Sequence, residues 1–389
     1  MPTFIDSFAR ARMSAPQTLF DSKQLHDKAP LWWDESIVNG SGNAASTHST
    51  ADAATTMHVE SGDTIIRQTK QCWNYQPGKS QLVVFTGVLG AGGAGVFVGI
   101  GQFTATDGMF FALRGTTLSV EIRKGGNDTK VEQAGWNGDK LDGNGKSRIT
   151  FDATKLHVFY ISYEWLGGGP VEFGMFLLGM PVRIHTFAHL NDITVAYTAT
   201  PNLPMRYEIS STSATAELVH QCATVISEGG AQALGIDYAI STRGAHVDAN
   251  VADTIYAVVG IRLKSTHIDA TVDVLRVHMI DEGAKAFEWL LLLNPSVAGT
   301  FAYADVANTA LQRALGALAN SITADSEDLV LASGWGVAGR GGTEAITEIV
   351  SAIRLGAKID GTVDEIVLAV RPLAVNEDIQ GTVEVKELV

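Results

Sequence analysis

The stretch "LHVFYISYEWLGGGPVEFGMFLL", Leu156–Leu178, decides how the rest of this chain is read. Its first half alternates strictly, so that His157, Phe159, Ile161, Tyr163 and Trp165 share one face and Leu156, Val158, Tyr160, Ser162 and Glu164 share the other. Both faces are largely apolar, which predicts a strand inside a sheet. Gly167–Pro170 then supplies a turn, and "VEFGMFLL" from Val171 supplies the returning strand of a hairpin. "PVRIHTFAH" from Pro181 continues the meander after the turn residue Gly179.

The same pattern recurs on both sides. Upstream lie "TTMHV", "TIIRQTK", "QLVVFTG", "VFVGIGQF", "GMFFAL" and "TLSVEIRK", separated by Gly, Pro and Asp turn signals. Downstream lie "MRYEIS", "YAVVGIRLK" and "VDVLRVHMI". Short strands at spacings of about 8 to 12 residues indicate an antiparallel sandwich or barrel, and no room is left for the helices of βαβ units. The expected fold is therefore all-β: an antiparallel jelly-roll or concanavalin-like β-sandwich over 51–228, a second β-rich domain over 229–389, and an N-terminal arm over 1–50. Two segments, "DVANTALQRALGALANSI" and "TEAITEIVSAIRLG", place apolar residues at helical spacing, for example Ile346, Ile349, Val350 and Ile353. Short Ala-rich runs of this kind fit either a helix or a buried strand.

The arm contains the small polar tract "NGSGNAASTHSTADAATT" and, before it, adjacent tryptophans Trp32 and Trp33 in a segment too short for a core of its own. It is expected to attach to another surface through those two rings, such as a neighbouring subunit.

Composition narrows the function classes. A net charge of −14 argues against nucleic-acid binding, because that affinity comes from Lys and Arg neutralising phosphates. Cys72 and Cys222 stand 150 residues apart outside any ligand pattern, so two buried free thiols are expected and a disulfide framework is excluded. The N-terminal "MPTFIDSFARARMSAP" lacks the apolar core of a secretion signal, from which folding in a cytosol is expected. The uncharged run Ser80–Thr106 is long enough for a membrane span, but its glycines and flanking Gln81 and Gln102 fit two strands and a loop; no membrane insertion is expected.

Two phosphate-binding signatures fail on their surroundings. Gly78-Lys79-Ser80 has Trp73 where a P-loop needs its first glycine, Pro77 removes an amide, and a strand follows where a helix N-terminus is required. Gly90, Gly92 and Gly95 satisfy G-x-G-x-x-G but open onto another strand, so they read as a hairpin loop. His185 and His189 lie too far apart along a strand to share a metal without help. Glu164 and Glu172 are the sort of acid pair any β-rich chain supplies, and neither G-x-S-x-G nor H-E-x-x-H occurs. No catalytic residue, cofactor or metal is expected.

The loop "WNGDKLDGNGKS", Trp136–Ser147, is different. Asp139, Asp142 and Asn144 place oxygen ligands at short spacing beside Trp136, as a Ca²⁺-assisted sugar site would, although the EF-hand template lacks its final Glu. A solvated turn is the plainer reading of the same residues. If the loop holds a sugar, Trp136 would stack on it and the other three would hydrogen-bond to it.

Several phrases together, "NYQPGKSQLVVFTGVL", "DGMFFALRGTTLSV", "WNGDKLDGNGKS", "EWLGGGPVEFGMFLLG", "NLPMRYEIS" and "CATVISEGG", resemble a group of virion structural proteins of tailed phages, especially aquatic ones. The resemblance runs from about residue 60 to about 230. It implies a non-enzymatic β-sandwich displayed on a virus particle as a head-decoration or tail-associated component, assembled in the host cytoplasm. Its partners would be other virion proteins, and its own state a homo-oligomer, with a trimer favoured. The hairpins are also similar to concanavalin-like lectin sandwiches and laminin G modules. The alternative expectation is a carbohydrate-binding module for adsorption to a host-surface glycan.

Overall fold

A computed structural model describes residues 15–323, 330–336, the backbone of 342–345, and 354–388. The chain divides into two compact units, residues 1–232 and 233–389.

The first unit begins with β1 (Gln17–Lys23), β2 (Trp33–Val38), β3 (Ala45–Ser49), β4 (Ala54–Val59), β5 (Asp63–Thr69), β6 (Gln81–Val88), β7 (Val96–Phe103) and β8 (Gly108–Arg114). It continues with β9 (Thr117–Lys124), β10 (Asn127–Glu132), β11 (His157–Tyr163), β12 (Val171–Leu177), β13 (Met180–Phe187), β14 (Met205–Ser211) and β15 (Ala216–Ser227). One sheet has the order β13-β12-β11-β6-β15-β4-β3, with β1 also paired to β15; the other has the order β10-β9-β8-β7-β14-β5-β2. Every pairing is antiparallel.

The alternating residues of β11 make this a sandwich. Phe159, Ile161 and Tyr163 are buried, and β11 lies between β6 and β12 as its two apolar faces require. Phe111 of the opposite sheet packs with ring centroids 4.9 Å from Phe159, 5.4 Å from Phe173 and 6.0 Å from Phe85. Each such ring, taken fully out of water, contributes about 1.5–3 kcal/mol. The uncharged run Ser80–Thr106 is accounted for by β6, the glycine loop and β7. Among the described residues no helix is long and apolar enough to cross a membrane.

Residues 1–50 do not form a separate arm in their described part. β1 and β3 join one sheet, β2 joins the other, and Trp33 is 3% exposed in the common core. Cys72 is half-buried and Cys222 is exposed, and neither forms a disulfide, so the expectation of two buried thiols is corrected. Cys222 lies on β15, where its side chain alternates away from the buried Ala223.

The second unit comprises β16 (Gly235–Ser241), β17 (Val247–Ala249), β18 (Ile255–Leu263), β19 (Thr271–Asp281), β20 (Phe287–Leu293) and β21 (Ala304–Asp305). It ends with β22 (Leu311–Leu315), β23 (Ser321–Ile322), β24 (Val330–Gly336), β25 (Gly342–Ala345), β26 (Glu365–Pro372) and β27 (Glu377–Leu388). One sheet runs β16-β27-β19-β25 with β17 on β27, and the other runs β21-β22-β18-β26-β20-β24 with β23 on β18. Of the two readings open for "DVANTALQRALGALANSI", helix or strand, the segment takes the strand: β22 and β23 lie within it and pair with β18, burying Leu311, Ala314 and Ile322 while Leu315 and Leu318 stay exposed. Ile346, Ile349, Val350 and Ile353 lie outside the described residues.

Candidate functional site

β10 ends in a single 3₁₀ turn, Gln133–Gly135, and the chain enters the Trp136–Ser147 loop. Two backbone bonds dock that loop on β13: Gly138 donates to the Ile184 carbonyl (2.8 Å) and Asp139 to the Arg183 carbonyl (3.0 Å). A Cβ on Gly138 would stand 2.5 Å from the Arg183 oxygen, so only glycine permits this approach. The Asp139 carboxylate closes the loop by accepting the amides of Leu141 (2.9 Å) and Ser147 (2.6 Å). Partial burial works to raise its pKa, but those hydrogen bonds prevail and hold it below the usual carboxylate range.

Beside the docked loop lies a groove formed by two adjoining cavities of 380 and 320 Å³ that share Gln133 and Phe151. The first is lined by Lys140, Leu141, Asp142 and Thr150; the second by Leu113, Thr116 and Leu118 of the β8–β9 hairpin and by Asp152 and Thr154. Gln133 is held by its amide, which donates to the Lys140 carbonyl (2.8 Å). Phe151 is anchored by its backbone bond to Leu141 (2.8 Å) and by its ring, 4.5 Å from that of His157. The glycine loop braces the same wall, since the Gly90 amide donates to the Ala153 carbonyl (3.0 Å). The result is an apolar floor of Leu113, Leu118 and Phe151 under a lip of amide, hydroxyl and carboxylate groups.

The residues nominated from sequence divide between frame and lip. Trp136 is 2% exposed and donates its indole N–H to the Val131 carbonyl (3.1 Å), so its faces are taken by the core. Asp139 is committed to the loop's own amides. Asp142 reaches the groove, and its Oδ1 accepts the amide of Asn144 (2.9 Å) in a local turn. Among the described residues, neither Asp139 nor Asp142 meets two further His, Cys, Asp or Glu ligands. Trp33 faces inward, 4.4 Å from the His220 ring with its N–H on Ser22 Oγ (2.9 Å), while Trp32 packs 5.6 Å from Phe20. Both tryptophans fasten β1 and β2 to their own unit.

Other apparent motifs also resolve into framework. Lys79 donates to Gln76 (2.8 Å) in a turn before β6, and Gly90, Gly92 and Gly95 adopt φ of 82°, 68° and 74° in a hairpin loop. His185 packs against Phe187, and His189 against Tyr197, without converging on a common ligand position. Glu172 accepts the hydroxyl of Tyr160 (2.8 Å); burial and that carboxylate raise the pKa of the phenol.

One arrangement escaped the sequence reading. On the outer face of the seven-stranded sheet, Phe103 and Phe110 are buried beneath three guanidiniums. Arg114 lies 4.6 Å from the Phe97 ring centre, Arg123 4.8 Å from that of Phe110, and Arg206 5.3 Å from that of Phe103. Arg114 binds Glu121 through two hydrogen bonds (2.9 and 2.7 Å) and Asp128 through one (2.7 Å); Arg123 also binds Asp128, and Arg206 binds Glu208. The signal was the alternation Phe110-x-Ala112-x-Arg114 and Ser119-x-Glu121-x-Arg123, which gives the second face a polar roof. These charges are spent on one another, and the face is a rigid platform rather than an open site.

No protein-family model matches the chain, and no curated protein does. Solved structures resemble its sandwich. A Bacillus licheniformis β-glucanase matches at 11% identity and a TM-score of 0.36, over 53% of this chain and 96% of its own. The CBM2 module of the evolved Dit of Lactobacillus casei BL23 phage J-1 matches at 11% and 0.37, over 57% and 100%. The carbohydrate recognition domain of Emp47p matches at 9% and 0.35, over 57% and 100%. At TM-scores this low the likeness carries no argument for activity or ligand. It does correct one expectation: glycoside hydrolases recur among these sandwiches, so the architecture gives no ground for excluding an enzyme, and that exclusion is withdrawn.

Proposed function

We propose that the first unit is a carbohydrate-binding module carried on a tailed-phage particle, with saccharide seated in the groove across Gln133 and Phe151. The observation that supports it is the groove itself. Its two cavities of 380 and 320 Å³ fall in the size class of ligand pockets, about 300–1,000 Å³, and combine an apolar floor with a few fixed polar groups. A sugar offers the same combination, an apolar ring face and an equatorial rim of hydroxyls. Asp142, Asp152, Thr116 and Thr154 are exposed on the lip, where such hydroxyls would find them.

The test is a glycan array with the intact chain, followed by calorimetry of the best binder against Asp142→Ala, Thr154→Ala and the groove-filling Thr116→Trp. A hydrogen bond to a charged group contributes about 1.5–3 kcal/mol, so Asp142→Ala should weaken binding about tenfold or more. Unchanged affinity in all three variants removes the groove from contention. A product-release assay on each bound glycan decides whether hydrolysis follows binding.

The particle assignment rests on the phrases resembling phage virion proteins, and it expects a trimer in contact with other virion proteins. Mass spectrometry of purified particles that lacks this chain sinks the assignment, and light scattering at the mass of one chain sinks the trimer.

A further inference from the structure

The second unit holds a side-chain cluster that owes nothing to the groove. β17 is only three residues long, and its Val247 and Ala249 are buried, so Asp248 between them points outward. His246, two residues earlier, lies on the same side by the period-two alternation of a strand. Asp248 pairs in register with Asp378 of β27, which is likewise flanked by the buried Glu377 and Ile379. His246 Nε2 stands 3.1 Å from Asp248 Oδ1, and one ligand atom each from His246, Asp248 and Asp378 lie within 4.8 Å of one another. Glu282 joins them from the end of β19: its amide donates to the Asp378 carbonyl (2.9 Å), and its Oε2 is 3.8 Å from His246 Nδ1.

Two features set this cluster apart from ordinary solvated acids. The first is the imidazole, whose neutral ring nitrogen is a ligand for borderline divalent ions and which acids alone do not supply. The second is its charge balance. Like charges directly opposed across an antiparallel pair are destabilising, yet among the described residues no Lys or Arg forms an ion pair with Asp248, Asp378 or Glu282. Elsewhere in the same unit outward acids do find such partners: Glu365 with Arg262, Glu288 with Arg371, Asp273 with Arg354, and Asp237 with Lys386. The cluster gathers three carboxylates around one histidine and leaves their charge to something else.

We propose that His246, Asp248 and Asp378 form a binding site for a divalent transition-metal ion, with Glu282 available as a fourth ligand. The register of β17 on β27 fixes the backbone positions. Ligand atoms around an ion held at about 2.0–2.1 Å lie about 3.3 Å apart, so small rotations of these exposed side chains close the set. A bound ion would neutralise the opposed pair and tie the short β17 to β27 and to the end of β19.

The experiment titrates the full chain with Zn²⁺ by calorimetry and with Co²⁺ by visible absorption. Saturable binding of one ion per chain is expected, weakened about tenfold or more in both His246→Ala and Asp378→Asn and unchanged in the control His267→Ala. Mn²⁺ line broadening in the unaltered chain gives a readout independent of any variant's folding, and it should fall on the amides of residues 246–249 and 376–379. Absence of saturable binding, affinity in both variants unchanged from that of the unaltered chain, or broadening centred elsewhere overturns the proposal.

Discussion

Arg67 is fully buried in the first unit, and its surroundings explain why a cation is tolerated there. It pairs with Glu35 through Nη1, and its Nη2 donates to the Lys28 carbonyl (2.8 Å) and to Gln24 Oε1 (3.2 Å). Its Nε donates to His220 Nδ1 (3.4 Å), which places the ring proton of His220 on Nε2. Replacing Arg67 by Met leaves Glu35 without its buried partner and should cost about 3–5 kcal/mol in urea unfolding, against little change for an exposed arginine such as Arg243. His220 supplies a pH dependence. Burial first, and the nearby Arg67 second, push its pKa well below the usual value of 6.5. The unfolded chain therefore takes up a proton below about pH 6.5 that the folded chain refuses, so stability is full above that point and falls as the pH drops. The slope between about pH 6.5 and 5 should approach 1.4 kcal/mol per pH unit and flatten in His220→Gln; an equal slope in the variant refutes the assignment. Glu35 acts in a lower window. Burial opposes ionisation of its carboxyl, but Lys28, Ser46 and Arg67 prevail and depress its pKa, so its contribution is lost only as the pH falls through a value below 4.5.

The elements were legible where apolar residues alternated or ran on between turn signals, and their loops were legible only in composition. β7, β8 and β9 fall on the runs "VFVGIGQF", "GMFFAL" and "TLSVEIRK", which are buried on both faces over most of their length. The pattern in "DVANTALQRALGALANSI" left helix and strand both open because period 3.6 and a broken strand are indistinguishable over a few Ala and Leu residues. The glycines of the β6–β7 loop illustrate what a loop sequence does disclose. Gly92 has φ of 68°, and a Cβ there would meet the Gly115 carbonyl at 2.0 Å; Gly92→Ala should destabilise the unit by about 1–3 kcal/mol, read from its thermal unfolding. Gly145 is constrained differently, by the Asp139 carboxylate 2.0 Å from its virtual Cβ. Gly145→Ala should loosen the Trp136–Ser147 loop and speed amide exchange at Leu141 and Ser147, with loss of whatever affinity the groove shows. Unaltered exchange at those two amides counts against that account. The sequence singled out this loop for its polar side chains, but it did not disclose the inward direction of Trp136, which depends on the docking of Gly138 and Asp139 on β13.

Across the whole molecule, the segment that reads as an arm is structural in its described part. β1 covers the C-terminal half of β15, β2 closes the edge beyond β5, and Glu35 of β2 neutralises Arg67. A fragment spanning 15–232 should unfold in one cooperative thermal transition, and one spanning 51–232 should lose that transition, since it exposes edges of three strands, β4, β5 and β15, and strands a buried guanidinium; a cooperative 51–232 fragment would restore the arm. The all-β class, the antiparallel meander around Leu156–Leu178 and the failure of both phosphate signatures were determined by the sequence alone, because alternation, turn residues and missing glycines are local properties. The tertiary structure decided the rest. Strand order brought Gln133 to Phe151, placed three arginines over a phenylalanine layer, and set Asp248 opposite Asp378. These pairings join residues between 13 and 130 positions apart, for example Arg123 with Phe110 and Asp248 with Asp378. Periodicity says which face a residue takes, but only sheet register says what it meets there.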